Sequence, residues 1–144
     1  MDLTASYPRS PRQELGGFIH LARMIDKAKA GRAGKLGEYI YPCPLDRGLL
    51  DFLGLTPERF AEAAAGKGDQ EMVEWIRKEA RPHTPDEISA WNKTFLNRSP
   101  DGEEKWAYFR KLRESIDPSR TDIITWPDLL DLDEKRSVPR RKTR

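Results

Sequence analysis

The sequence predicts an all-α, irregular single domain of about seven short helices, and three observations carry that prediction. Apolar residues recur at the three- and four-residue spacing of helix faces, prolines and glycines punctuate the joints, and no two neighbouring segments alternate as paired strands would. Segments this short and unequal do not build a symmetric four-helix bundle. At 144 residues the chain is long enough for one core, which four Trp, five Phe and four Tyr help to fill.

Each element has its own justification. Residues 1–13 read as an extended arm, because Pro8 and Pro11 fix their own φ and push Tyr7 and Ser10 away from helical geometry. The first helix is expected over residues 14–30, with Leu15, Phe18, Ile19, Ala22 and Ile25 on one face and Gly31 and Gly34 as the stop. Between Gly37 and Pro44, Tyr and Ile favour extension while Pro42 and Pro44 forbid a central strand, which predicts a buried extended connector. A second helix over 45–53 ends at Gly54. Thr56 and Pro57 open a third, which ends at Gly66. Asp69 caps a fourth that Pro82 stops, and Thr84-Pro85-Asp86-Glu87 is a capping box for a fifth, running to about residue 98. Asp101 caps a sixth with Trp106, Phe109, Leu112 and Ile116 on one face, and Thr125-Trp126-Pro127-Asp128 opens a seventh that reaches Glu134. The domain is therefore expected over 1–134, followed by a basic flexible tail over 135–144.

Composition excludes several functions. No apolar run is long enough for a membrane span, and the first residues lack the basic and apolar stretches of a signal peptide, so a cytoplasmic, reducing location is expected. One cysteine, Cys43, and two histidines make neither a disulfide nor a Cys/His zinc site, and no cofactor motif is present. The net charge of +2 conceals an asymmetry: residues 135–144 hold six Lys and Arg, which leaves 20 of the 26 basic residues against 24 acidic ones in the body. A mildly acidic body is not a nucleic-acid-binding surface, so weak nucleic-acid contact is open only to the tail. A helix-turn-helix over 57–80 fails for the same reason, with six acids against four bases.

The phrases Ser10-Pro11-Arg12, Leu-Ala-Arg-Met-Ile-Asp-Lys-Ala-Lys-Ala (21–30), Gly-Glu-Tyr-Ile-Tyr-Pro-Cys-Pro-Leu-Asp (37–46), Ala90-Trp91-Asn92 and Trp-Pro-Asp-Leu-Leu-Asp-Leu-Asp-Glu (126–134) occur together and in this order. With them the chain resembles a family of small bacterial proteins known as a domain of unknown function, over roughly residues 6–134. The resemblance implies no catalytic or binding residue.

Candidate residues are those whose chemistry departs from their position. Asp26 falls about 20° from the apolar line through Leu15 and Phe18, and Asn92 about 40° from Ile88, inside the arc of Ile88, Trp91 and Phe95. Buried polar groups need partners, and Arg12, Arg23, Tyr39 and Tyr41 are available. An ionised Asp26 tied to Arg12 or Arg23 is the structural expectation; a ligand pocket floored by Asp26 and Asn92, with Tyr39 and Cys43 beside it, is the functional one. Cys43 sits where it can cap the second helix, and reads as a small packed residue more readily than as a nucleophile. His20, about 140° from the stripe, reads as solvated, and His83 lies in a joint. Asp128, Asp131, Asp133 and Glu134 lack calcium-loop spacing and read as an acidic face, or as partners of Arg120 and the tail. No catalytic or metal residue is nominated. The expected function is a non-catalytic binding or regulatory protein with a protein partner, the alternatives being an enzyme or small-molecule sensor built on the pocket and an RNA- or ribosome-associated adaptor using the tail.

Overall fold

A computed structural model describes residues 2–140. It is mostly helical, with 55% of residues in seven helices: α1 (Leu21–Arg32), α2 (Pro44–Leu53), α3 (Pro57–Ala65), α4 (Asp69–Glu79), α5 (Pro85–Leu96), α6 (Glu103–Ile116) and α7 (Trp126–Asp133). A two-stranded hairpin, β1 (Glu14–Leu15) and β2 (Phe18–Ile19), precedes them. The chain divides into two compact units, one reaching to Ala90 and the other starting at Trp91, with the division inside α5.

The start of the first helix is a correction to the sequence reading, which begins it at residue 14. Gly16 and Gly17, at φ 58° and 91°, form a two-residue turn that pairs Leu15 with Phe18. Two consecutive positive φ values suit glycine and match the twist of a tight hairpin. A Cβ on Gly16 would stand 2.8 Å from both γ-carbons of Val73 on α4, whereas one on Gly17 meets nothing within 4 Å. Gly16→Ala is therefore expected to cost about 2 kcal/mol, combining backbone strain with overpacking, and Gly17→Ala about 1 kcal/mol from strain alone. Urea unfolding of both variants measures the difference, and equal losses would contradict the Val73 contact.

In the first unit α1 is the central element. Leu21, Ala22, Met24, Ile25, Ala28 and Ala30 are buried, and so are Arg23, Asp26 and Lys27 between them. α3 packs closely along α1, and Leu49, Leu50, Leu53, Phe60, Ala64, Met72, Val73 and Ile76 complete the core. Turn chemistry at the later boundaries follows the sequence. The Thr56 side chain accepts from the Arg59 amide at 3.1 Å, Pro57 and Pro44 open their helices, and Gly54 ends α2 at φ 68°. Thr84 and Glu87 exchange side-chain to backbone hydrogen bonds at 2.8 and 3.1 Å, the reciprocal cap expected for α5. His83 stacks on Phe52 at 3.7 Å and shares a 2.6 Å hydrogen bond with its carbonyl oxygen.

The connector differs from its prediction. It is neither buried nor a strand: Ile40 is 68% exposed, and Tyr39, Tyr41, Pro42 and Cys43 are half-buried. Its prolines deny it ladder hydrogen bonds, so polar anchors hold it instead, among them the Tyr41 hydroxyl, which donates to the Pro57 carbonyl at 2.7 Å.

The second unit is built on the predicted α6 face. Phe109, Ile123, Leu129 and Val138 form a buried cluster, with Trp106, Leu112, Ile116, Trp126 and Leu132 packed against it. Phe109 meets Trp106 and Trp126 edge to face, with ring centroids 5.5 and 5.0 Å away. Arg113 is buried beneath α6 and donates to the carbonyls of Ile123 (2.8 Å) and Thr121 (3.4 Å). Where the sequence predicts a free tail from Lys135, residues 135–140 lie on this unit. Val138 is 6% exposed, Arg120 donates to its carbonyl at 2.9 Å, and Arg136 pairs with Asp131 and Glu134. One apolar side chain among basic neighbours is invisible to periodicity but sufficient to seat the segment. Residues 141–144 of the expected tail lie outside the described residues.

Candidate functional site

The burial of α1 on all sides decides where the polar chemistry goes. A charged residue in a core needs partners, and Arg23, Asp26 and Lys27 find them on three other segments.

The most enclosed of these contacts centres on Asp46, in the first turn of α2, which is fully buried. Its Oδ1 lies 2.7 Å from His20 Nε2; its Oδ2 accepts from Lys27 Nζ at 2.7 Å and from the Cys43 amide at 3.0 Å. Lys27 Nζ also reaches Cys43 Sγ at 3.2 Å. Cys43 is the N-cap residue of α2 and remains partly exposed, so the cluster runs from a fully buried histidine to a half-buried cysteine. Burial by itself would raise the Asp46 pKa, but the His20 hydrogen bond and the Lys27 charge outweigh it and hold the carboxyl well below the usual carboxylate range. Burial pushes His20 below its ordinary 6.5 against the pull of Asp46. The result is a neutral imidazole beside an ionised carboxylate. Since a carboxylate only accepts, His20 Nε2 carries the hydrogen between them. Burial, aided by Asp46 and Glu58, raises the pKa of the Tyr41 phenol nearby and keeps it neutral.

The direction of the His20 shift fixes a pH dependence. Below about 6.5 the unfolded chain binds a proton that the folded ring refuses, so stability is full above that value and declines as pH falls, by at most about 1.4 kcal/mol per pH unit. His20→Asn tolerates the left-handed φ of 73° at this position and removes the titration. Denaturant unfolding between about pH 7.5 and 4.5 is expected to show a steeper decline in wild type than in the variant. Parallel curves would show that the folded ring protonates freely.

Sequence reasoning misplaces His20, which is not solvated but entirely buried as the N-cap of α1. The 140° phase belongs to a helix beginning at Glu14, whereas the hairpin moves the start to Leu21. With the Gly16-Gly17 turn recognised, His20 and Lys27 are seven residues apart on one face, which is the signal that pairs them.

Asp26 is buried and arginine-bound as expected, but its partner is Arg9 rather than Arg12 or Arg23. Arg9 gives it a backbone hydrogen bond at 2.9 Å and side-chain bonds from Nε at 3.1 Å and Nη2 at 3.0 Å, and bridges onward to Asp69 at the start of α4. The arm between Pro8 and Pro11 lies along α1 and brings both the Arg9 amide and guanidinium within reach. Arg23 donates to the Arg9 carbonyl at 3.2 Å and lies over the Tyr39 ring at 5.6 Å. The Arg12 amide donates to Ser10 Oγ at 3.0 Å. Asp26, Arg23 and Tyr39 thus join through Arg9, and Cys43 belongs to the Asp46 cluster. Asn92 is a half-buried residue of the second unit. Among the described residues, no three His, Cys, Asp or Glu side chains are grouped to hold a metal ion, and no helix is long and apolar enough to cross a membrane.

The profile of a family described as domain of unknown function (DUF5069) matches residues 5–136. The chain belongs to that family. Among curated proteins, none matches it. The DUF5069 match spans the arm that carries Arg9, both helices that build the Asp46 cluster, and the second unit through Arg136.

Proposed function

We propose that the chain is a non-catalytic cytoplasmic binding protein that docks a protein partner through its 37–43 connector. The observation that carries this reading is Ile40, a β-branched apolar side chain that is 68% exposed on a loop anchored on both flanks. Tyr39 is held under Arg23, and Tyr41 by the Pro57 carbonyl. An apolar residue displayed by a fixed loop loses little conformational freedom when a partner's pocket covers it, and loops on rigid scaffolds are where recognition concentrates. The basic segment is a weaker recognition element, since Arg136 is neutralised by Asp131 and Glu134 and Arg140 lies 4.0 Å from Asp122. A lone free thiol accords with a reducing compartment.

A photo-crosslinking residue at position 40 is expected to capture one dominant protein in cells, whereas the same residue at the exposed Lys78 captures none. With that partner purified, Ile40→Asp is expected to weaken binding by about 2 kcal/mol, roughly thirtyfold in Kd, while leaving folding stability within about 0.5 kcal/mol. Identical adducts from both positions, or none from position 40, would refute the docking role.

A further inference from the structure

The Asp46 cluster places an amine and a thiol directly against each other, with one carboxylate holding the amine and the backbone of the thiol's residue, an arrangement that neither the core nor the docking loop requires. Lys27 is 3% exposed at its side chain and has no freedom to leave: Asp46 Oδ2 holds its Nζ at 2.7 Å, and Cys43 Sγ stands 3.2 Å away. Asp46 also fixes the Cys43 backbone, through the amide at 3.0 Å, so one carboxylate sets the position of both reacting groups. Cys43 is a partly exposed residue of the cluster, while Lys27 behind it is buried.

From this geometry we infer that Lys27 and Cys43 form a peroxide-driven covalent sulfur–nitrogen cross-link, which makes the cluster an oxidative modification site. In the first step hydrogen peroxide oxidises the Cys43 thiol by two electrons to the sulfenic acid, and the second peroxide oxygen leaves as water. Sulfenic acids condense with nitrogen nucleophiles to give sulfenamides. In the second step the Lys27 ammonium gives up one proton to solvent at the Cys43 end of the cluster, while Asp46 keeps the nitrogen in place. The Nζ lone pair attacks sulfur, the S–O bond breaks, and hydroxide takes a second proton from nitrogen and departs as water. A neutral S–N bond remains, with one hydrogen on nitrogen. One thiol attacks sulfur and returns the amine, leaving a mixed disulfide at Cys43, and a second thiol attacks that disulfide and releases the Cys43 thiol, so the reaction cycles with peroxide as oxidant and cellular thiol as reductant. Enforced proximity favours this outcome over further oxidation, because the amine is held at contact distance while a second peroxide must arrive from solution. The cross-link would staple the end of the 37–43 connector to α1 and remove the Lys27 charge from Asp46, leaving His20 to hold that carboxylate.

Intact-mass measurement of the full chain after peroxide treatment is expected to show a net loss of two hydrogens. Peptide mapping should join the segment holding Lys27 to the segment holding Cys43, and dithiothreitol should restore the starting mass. Lys27→Arg keeps a cation against Asp46 but presents a far less nucleophilic guanidinium, and it should instead gain two or three oxygens at Cys43. A wild-type product carrying those added oxygens with an unlinked Lys27, or no reaction at a peroxide excess that oxidises the unfolded chain, would overturn the proposal. Because the wild-type map alone decides between these outcomes, the test holds even if the variant folds poorly.

Discussion

Asp46→Ala is expected to destabilise the protein by on the order of 3 to 5 kcal/mol at neutral pH, the largest effect of any single polar substitution in the first unit. The size follows from what the substitution leaves behind. The Lys27 ammonium, 3% exposed, loses the carboxylate that lies 2.7 Å from it, while His20 Nε2 and the Cys43 amide lose an acceptor in the same space. Stranding a buried cation costs more than the pair itself contributes, and each lost acceptor adds to the penalty. The effect is pH-dependent in a fixed direction. The folded pKa of Asp46 lies below the unfolded 3.8, so its stabilisation is full above that value and is lost as pH falls through the folded one. A double variant, Asp46→Ala with Lys27→Met, is expected to recover part of the loss, since no buried charge is then stranded and only the neutral His20 and Cys43 donors lose their acceptor. Urea unfolding of the three proteins measures this; a loss below about 1 kcal/mol for Asp46→Ala would place the cluster in water, where ion pairs reach only that size.

Arg9→Ala is expected to cost about 3 kcal/mol, and Asp26→Ala about 2 kcal/mol. The inequality is the informative part. Asp26 is 6% exposed at its side chain and loses two side-chain hydrogen bonds when Arg9 is truncated, keeping only the backbone amide. Arg9, by contrast, is 27% exposed and retains Asp69 when Asp26 is removed, so water and a second carboxylate soften the change. Truncation of Arg9 also frees Asp69, and with it the link from the arm to α4. Equilibrium unfolding of both variants tests the order. If Asp26→Ala proved the more costly, the carboxylate would hold more than the arm, and Arg23 or a ligand would be the place to look.

Helix count, order and most boundaries were legible because capping and turn residues mark them: Pro44, Pro57, Thr84 with Glu87, and Gly54 act within a few residues of where they stand. The first helix failed for a reason equally local. The residues from Leu15 to Ile25 satisfy a helical period by coincidence, and the Gly16-Gly17 turn that overrides it lies inside that periodic stretch. That error carried the phase of His20 with it. Asp26 was legible as a buried carboxylate because its neighbours on the stripe are apolar, but the choice among Arg9, Arg12 and Arg23 depends on how the arm crosses α1, a tertiary fact that periodicity does not encode. The same holds for Lys27 and Asp46, nineteen residues apart, and for Val138, whose burial depends on Phe109 and Leu129 being in place. The exposed Ile40 ran against the expectation that apolar residues between prolines are buried.

The enclosure of α1 has a consequence for how the first unit opens. Asp26 is held by the arm and Lys27 by α2, so neither segment can peel away without leaving a charge on α1 uncompensated, and Arg9 carries the link onward to α4. Fraying, which ordinarily begins at termini and loops at little cost, is here coupled to the centre. The amides of α1 are therefore expected to exchange with solvent only through an opening that releases the arm and α2 together, and the arm, although near the start of the chain, belongs to the most slowly exchanging cooperative unit rather than to its margin.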